Sequence, residues 1–177
     1  MTRAPHLALV GLPGAGKSTV AAALGARLGR AVVDFDVEIE RREGRTISAI
    51  FEAEGEAYFR ALEASLTTEL RDAPASILSP GGGWVTRPET VAVIRARTRI
   101  VWLQVSPATA LARMGGNRNA RPLLMKGDPE AILTRLEADR RSAYAGADAV
   151  VNTEVIGLQE LVDQVAQLAT FWGSGVG

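Results

Sequence analysis

Residues Gly11-Leu12-Pro13-Gly14-Ala15-Gly16-Lys17-Ser18 spell G-x-x-x-x-G-K-S, and few short strings constrain a fold as tightly. An apolar run from His6 to Val10 precedes them. Small and apolar residues at helical spacing, Gly16 to Leu28, follow. The order is therefore strand, glycine loop, helix. Glycines let successive N–H groups turn inward around phosphate oxygens, and the positive end of the following helix adds to their field. Lys17 has the reach for terminal phosphates, and the Ser18 hydroxyl suits a Mg²⁺ ion. Gly14, Ala15, Gly16, Lys17, Ser18 and Thr19 thus form a candidate nucleoside-triphosphate site. An ordinary glycine-rich turn is the competing description, and four fixed positions between strand and helix leave it little room. The loop alone does not separate kinases from GTPase switches, ATPases or sensors. An Asn-Lys-x-Asp base-reading string, expected of a GTPase, is absent from the sequence.

Four more short apolar runs follow, at Ala31–Val33, Ser76–Leu78, Ile100–Val105 and Ala149–Val151. Helical patterns separate them: Val37 to Arg42, Thr46 to Phe51, Gly55 to about Arg71, one from Pro88, one from Pro107, Glu130 to Tyr144, and Gly157 to Ala169. Proline in a first helical turn costs nothing, because the missing N–H would be unpaired there. Strands alternating with helices predict α/β architecture: a three-layer α/β/α fold around a central five-stranded parallel sheet. The 177 residues fit one domain, 1–177. Gly115 to Pro129 lacks apolar periodicity and reads as a long loop, of the kind that usually carries function.

Composition narrows the partners. The 20 basic and 20 acidic side chains cancel, which disfavours nucleic acid and membrane surfaces as partners. No apolar run is long enough to span a bilayer, and no signal segment opens the chain. With no cysteine, disulfides and thiolate metal sites are excluded. A cytoplasmic protein is expected. The single histidine, His6, opens the first strand and reads as structural.

Asp34 and Asp36 follow the second strand. Alternate residues of extended chain point the same way, so both carboxylates are expected at one site, beside the phosphates at the carboxyl edge of the sheet. One would hold Mg²⁺ through water and the other would accept a substrate hydroxyl. Two solvated strand-end carboxylates fit the spacing nearly as well. Gly81-Gly82-Gly83 end the third strand, where glycine permits positive φ and close approach of backbone to ligand. Trp84 behind them is bulkier than such an edge needs. Phe51, Phe59 and Leu123 suit either a pocket wall or the core.

Several separated segments together resemble the shikimate kinase family, within the nucleoside-monophosphate-kinase-like P-loop group. They are Gly11 to Thr19, Asp34-Phe35-Asp36, Ile50-Phe51 with Gly55-Glu56-x-x-Phe59-Arg60-x-x-Glu63, Gly81-Gly82-Gly83, Arg121-Pro122-Leu123-Leu124, and Arg140 four residues before Tyr144. The resemblance runs from about His6 to Val151. It implies a P-loop NTPase-type fold with a mobile lid at about 114–129 and a substrate-binding helical region at about 36–64. The implied reaction moves the γ-phosphoryl group of ATP to the 3-hydroxyl of shikimate, with Mg²⁺, in a monomer. Carried over by position, Asp36 binds the reacting region of shikimate and is the proton acceptor, and Asp34 supports Mg²⁺ with Ser18. Arg60 and Arg140 grip the substrate carboxylate, Gly82 offers backbone contact, and Arg121 reaches the ATP phosphates. Lys17, Asp36 and Arg121 are the implied catalytic residues. Arginine suits a carboxylate because its fork gives two parallel hydrogen bonds, and Glu63, one helical turn after Arg60, is placed to orient it.

The sequence also departs from the family pattern. Arg118 stands near Arg121, and Arg141 beside Arg140, so each is an alternative for its neighbour's role. Asn152-Thr153-Glu154-Val155 lacks the arginine that some members place near adenine. Two rival functions stay open: another kinase of the same fold, acting on gluconate or a nucleoside monophosphate, and a non-catalytic nucleotide-binding module.

Overall fold

A computed structural model describes residues 4–115 and 127–174. Arg118, Arg121 and Leu123, and with them most of the expected lid, lie outside the described residues. Five parallel strands form one sheet in the order β2-β3-β1-β4-β5. They are β1 (His6–Val10), β2 (Val32–Asp34), β3 (Ile77–Ser79), β4 (Thr98–Gln104) and β5 (Ala149–Asn152). The helices are α1 (Lys17–Leu28), α2 (Phe35–Glu43), α3 (Ile47–Leu70), α4 (Pro88–Arg95), α5 (Pro107–Met114), α6 (Pro129–Tyr144) and α7 (Leu158–Gly173), with a 3₁₀ turn at Trp84–Thr86.

Strand alternation divides the interior into two cores. Leu7, Leu9, Ile77, Val101 and Leu103 pack with residues of α1, α5, α6 and α7 on one face. Their neighbours Ala8, Val10, Leu78, Ile100 and Trp102 pack with α2, α3, α4 and Tyr144 on the other. Runs apolar at every position are what a parallel strand covered on both faces needs, and all five residues of β1 are buried. The three-layer arrangement follows.

Some boundaries differ from the sequence reading. β2 runs one residue further, through Asp34, and α2 begins at Phe35 rather than Val37. The reason is a cap: Asp34 Oδ1 accepts from the N–H groups of Asp36 at 3.1 Å and Val37 at 3.3 Å, which nucleates the helix at once. The two helices expected on either side of Gly55 are one element, broken at Gly55, whose φ of 79° and ψ of 177° are not helical. The sheet places the carboxyl ends of β1 and β3 side by side, so the glycine loop and the glycine triplet share one edge. His6 is fully buried in β1 and accepts from the Ser76 N–H at 3.1 Å through Nδ1, a structural role.

Candidate active site

The glycine loop leaves β1 and enters α1 at Gly16. Gly14 has φ of 84°, and a β-carbon there would run into the backbone of Ala110, so neither the conformation nor the space accepts a side chain. Ala15 is buried beneath the loop, while Ser18 and Thr19 are exposed at the start of α1. Lys17 Nζ donates to the carbonyls of Gly11 and Leu12, each at 2.9 Å. The ammonium group thus bridges the loop at the helix N-terminus, where the helix dipole already favours an anion.

Beside it, the Ser18 hydroxyl donates to Asp34 Oδ2 at 2.9 Å. Asp34 therefore does two jobs: one oxygen caps α2 and the other faces Ser18. The described residues hold no cluster of three His, Cys, Asp or Glu side chains suited to a metal. A hydroxyl and a carboxylate are nonetheless the oxygen donors that a phosphate-bound Mg²⁺ takes from protein, so this pair fits that ion.

Asp36 is not placed by strand alternation, which corrects the expectation from sequence. It lies in the first turn of α2, because the Asp34 cap turns the chain helical after one residue. The helical turn sends the two carboxylates to different neighbours, Asp34 to Ser18 and Asp36 towards the glycine triplet.

The triplet is where the other elements meet. A β-carbon on Gly81 would stand 2.8 Å from Glu63 Oε1 and 3.7 Å from Asp36 Oδ1. One on Gly82 would collide with the Arg140 guanidinium and lie 3.6 Å from the Gly11 carbonyl oxygen. One on Gly83 would sit 2.7 Å from Arg60 Nη2. None of the three has positive φ. Their glycines are required by close approach alone, which corrects the part of the expectation that invoked φ. Through this turn Asp36 and Glu63 meet Gly81, Arg60 meets Gly83 and Arg140 meets Gly82, and Gly82 in turn lies beside the Gly11 carbonyl that Lys17 binds.

Arg60 is held rather than free. Its Nη1 donates to Glu63 Oε2 at 2.7 Å and its Nη2 to Glu56 Oε1 at 2.9 Å, and its Cζ lies 5.3 Å from the Phe59 ring centre. Glu63 is 2% exposed, and its Oε1 has no hydrogen-bond partner. Burial pushes the Glu63 pKa above its ordinary value, and Arg60 opposes that only in part. Arg60 stays charged: burial works against it, but the bonds to Glu63 and Glu56 prevail.

Arg140 is buried, whereas Arg141 is exposed and pairs with Glu137 at 2.9 Å. Of these two neighbours, the structure brings only Arg140 to the triplet. The ring of Tyr144, one turn later, stacks on Trp102 at 5.2 Å. Its hydroxyl has no partner within hydrogen-bonding geometry. Burial raises the Tyr144 pKa, and the nearby Arg140 charge opposes that rise. Phe59 belongs to the core, with the Phe51 ring tilted against it at 4.8 Å.

Sequence reading missed Arg113. It donates to Thr153 Oγ1 at 2.7 Å and to the Thr153 carbonyl at 2.6 Å, fastening the turn after β5. Glu154 in that turn accepts from Ser106 Oγ at 2.7 Å. The only sequence signal was a basic residue in the last turn of α5, a position favourable to any cation.

Residues 13–170 match the protein family described as SKI: Shikimate kinase. A shikimate kinase of Chromohalobacter salexigens is 42% identical over 162 residues, spanning 91% of this chain and 89% of that one. A solved structure described as shikimate kinase from Acinetobacter baumannii in complex with shikimate has a TM-score of 0.88 at 34% identity, covering 98% of this chain and 96% of that chain. A gluconokinase from Sinorhizobium meliloti shares the fold alone, with a TM-score of 0.64 at 16% identity over 99% of this chain and 97% of that chain.

Proposed function

This chain belongs to the shikimate kinase family and is an ATP-dependent kinase, and on that premise we propose how its own residues carry a phosphoryl group from ATP to shikimate. The observation that carries the reading is the glycine triplet. It brings a carboxylate, Asp36, and two guanidinium groups, Arg60 and Arg140, beside the loop that Lys17 spans.

Shikimate is a small anion with three hydroxyls. Its carboxylate takes Arg60 and Arg140, whose forks match it geometrically. Its ring hydroxyls lie along the backbone of Gly82, and the reacting 3-hydroxyl faces Asp36. Asp36 orients that hydroxyl and accepts its proton as the bond to the γ-phosphorus forms. Lys17 and the loop N–H groups take up charge on the β- and γ-phosphates. Ser18 and Asp34 would hold Mg²⁺, which supplies charge neutralisation between phosphate oxygens. Arg121, outside the described residues, keeps the phosphate-facing role that the resemblance implies, with Arg118 as its alternative. In-line transfer of this kind depends on positioning and electrostatics more than on covalent chemistry. A cytoplasmic monomer is the accompanying expectation, and sedimentation checks the monomer.

A coupled ADP-release assay with a panel of acceptors tests the reading. ADP release is expected only with shikimate and to depend on Mg²⁺. Release with gluconate or a nucleoside monophosphate, and none with shikimate, would overturn it.

A further inference from the structure

Trp84 follows the glycine triplet and is 1% exposed. Its Nε1 N–H donates to Thr67 Oγ1 at 2.9 Å. The same hydroxyl donates to the Glu63 carbonyl, one turn back on α3, at 2.7 Å. At the other end, the Trp84 backbone N–H donates to the Gly81 carbonyl at 2.9 Å and closes the glycine turn. The indole also meets Phe35, the first residue of α2, edge-on at 6.3 Å. One side chain thus spans the glycine turn, α2 and α3.

Space filling alone does not call for an indole N–H here, since a phenyl ring also fills an apolar pocket. A buried indole N–H needs an acceptor. Its acceptor is the residue four positions after Glu63, and its bond is directional. It sets the height of α3 at the level where Glu63 faces Gly81 and Arg60 faces Gly83. Clearance there is small: Arg60 Nη1 and Cζ each lie 3.0 Å from where a Gly83 β-carbon would be. A slip of α3 by a few tenths of an ångström would move the guanidinium relative to the glycine backbone.

We propose that Trp84 and Thr67 are positioning residues for shikimate binding, a hydrogen-bonded strut that holds Glu63, and through it Arg60, in register with the glycine turn. The proposal rests on the reading of Arg60 as a ligand of the shikimate carboxylate. Neither residue touches substrate. Both act through α3, on the acceptor side of the reaction and not on the nucleotide side.

Steady-state kinetics on Trp84→Phe, Thr67→Val, Thr67→Ser, the Trp84→Phe/Thr67→Val double variant and Arg60→Ala, with a thermal melt of each, tests it. Trp84→Phe keeps a ring in the pocket and deletes the N–H. Thr67→Val keeps the shape and deletes the hydroxyl, so it carries the test alone if the first variant does not fold. Each is expected to raise the shikimate KM about tenfold, the size of one lost hydrogen bond, with kcat and the ATP KM within about twofold of the parent. Thr67→Ser, which restores the hydroxyl, is expected to return the shikimate KM to the parent value. The double variant should be no worse than the poorer single, because both delete the same bond. A lowered melting temperature with an unchanged shikimate KM in both singles would reduce the strut to a packing feature and overturn the proposal. So would an ATP KM that rises in step. If Arg60→Ala raises the shikimate KM and the strut variants do not, the strut alone fails. If Arg60→Ala leaves it unchanged, the carboxylate reading fails and takes the strut with it.

Discussion

The proposed nucleotide and acceptor halves of the site are built to hold anions by different means. The phosphate half is built from eight consecutive residues, Gly11 to Ser18, and works mainly through backbone N–H groups and a helix end. Its one cation, Lys17, is tied to carbonyls of the same loop. The proposed acceptor half is assembled from α2, α3, the glycine triplet and α6, and offers mainly side chains beside the Gly82 backbone. Its cation Arg60 is balanced by the buried carboxyl of Glu63. A backbone cradle is fixed once strand and helix form. A side-chain clamp depends on long-range packing to hold long, flexible groups in one geometry. The first is therefore robust and unspecific, as expected of a loop shared by many enzymes. On the proposed reading, the second is where the acceptor is chosen.

The sharpest break between the halves is Lys17→Met. Removing the one ammonium group from the cradle is expected to lower kcat by about 10³-fold while the shikimate Kd, measured by calorimetry, stays within a few-fold. A comparable loss of shikimate affinity would mean the halves are not separable. Next in size, Arg60→Ala and Arg140→Ala are each expected to raise the shikimate KM by about 10- to 100-fold, the range for a lost charge-assisted hydrogen bond, with the ATP KM little changed. Gly82→Ala is a milder test of the same half. Its methyl group meets the far end of a flexible arginine, so Arg140 can yield, and a rise of about three- to tenfold in shikimate KM is expected. No change in KM would show that Arg140 and the triplet are not coupled.

The smallest effect separates a buried carboxyl from a surface one by pH. The Glu63 pKa is raised by burial from 4.5, so the folded protein keeps a proton that the unfolded chain loses. Its contribution to stability therefore falls as pH rises from 4.5 through the folded pKa. Glu38, on α2, is held at about 2, from 4.5, by hydrogen bonds from Arg41 and Arg42. Its contribution is present above 4.5 and is lost as pH falls towards 2, and it is small because the Arg41 and Arg42 partners face solvent. Melting temperature against pH should flatten on the neutral side in Glu63→Gln and on the acid side in Glu38→Gln. Only the second should depend on salt.

The same contrast explains what the sequence made legible. The phosphate loop could be read directly because its function lies in consecutive residues and in backbone geometry that glycine reports. β1 was legible to the residue, since a strand buried on both faces is apolar throughout. The Asp34–Asp36 geometry was misjudged because extended alternation was assumed through Asp36. An aspartate just before a helical pattern is also a cap, and the cap prevails. Arg60 was indistinguishable from a surface ion pair without the family resemblance, and it does pair with Glu56. Its Glu63 partner, one helical turn on, was legible from spacing; its glycine neighbours are long-range packing, which local pattern does not encode. Trp84 looked merely bulky, because its hydrogen bond reaches 17 residues back to Thr67.

The central claim is that both halves open on one cleft and meet at Asp36. Turnover and calorimetric binding of Asp36→Asn test it most directly. A general base removed without change of shape is expected to lower kcat by about 10²- to 10⁴-fold, while ATP and shikimate still bind within about tenfold of the parent. Turnover at the parent rate would remove Asp36 from the junction and contradict the account.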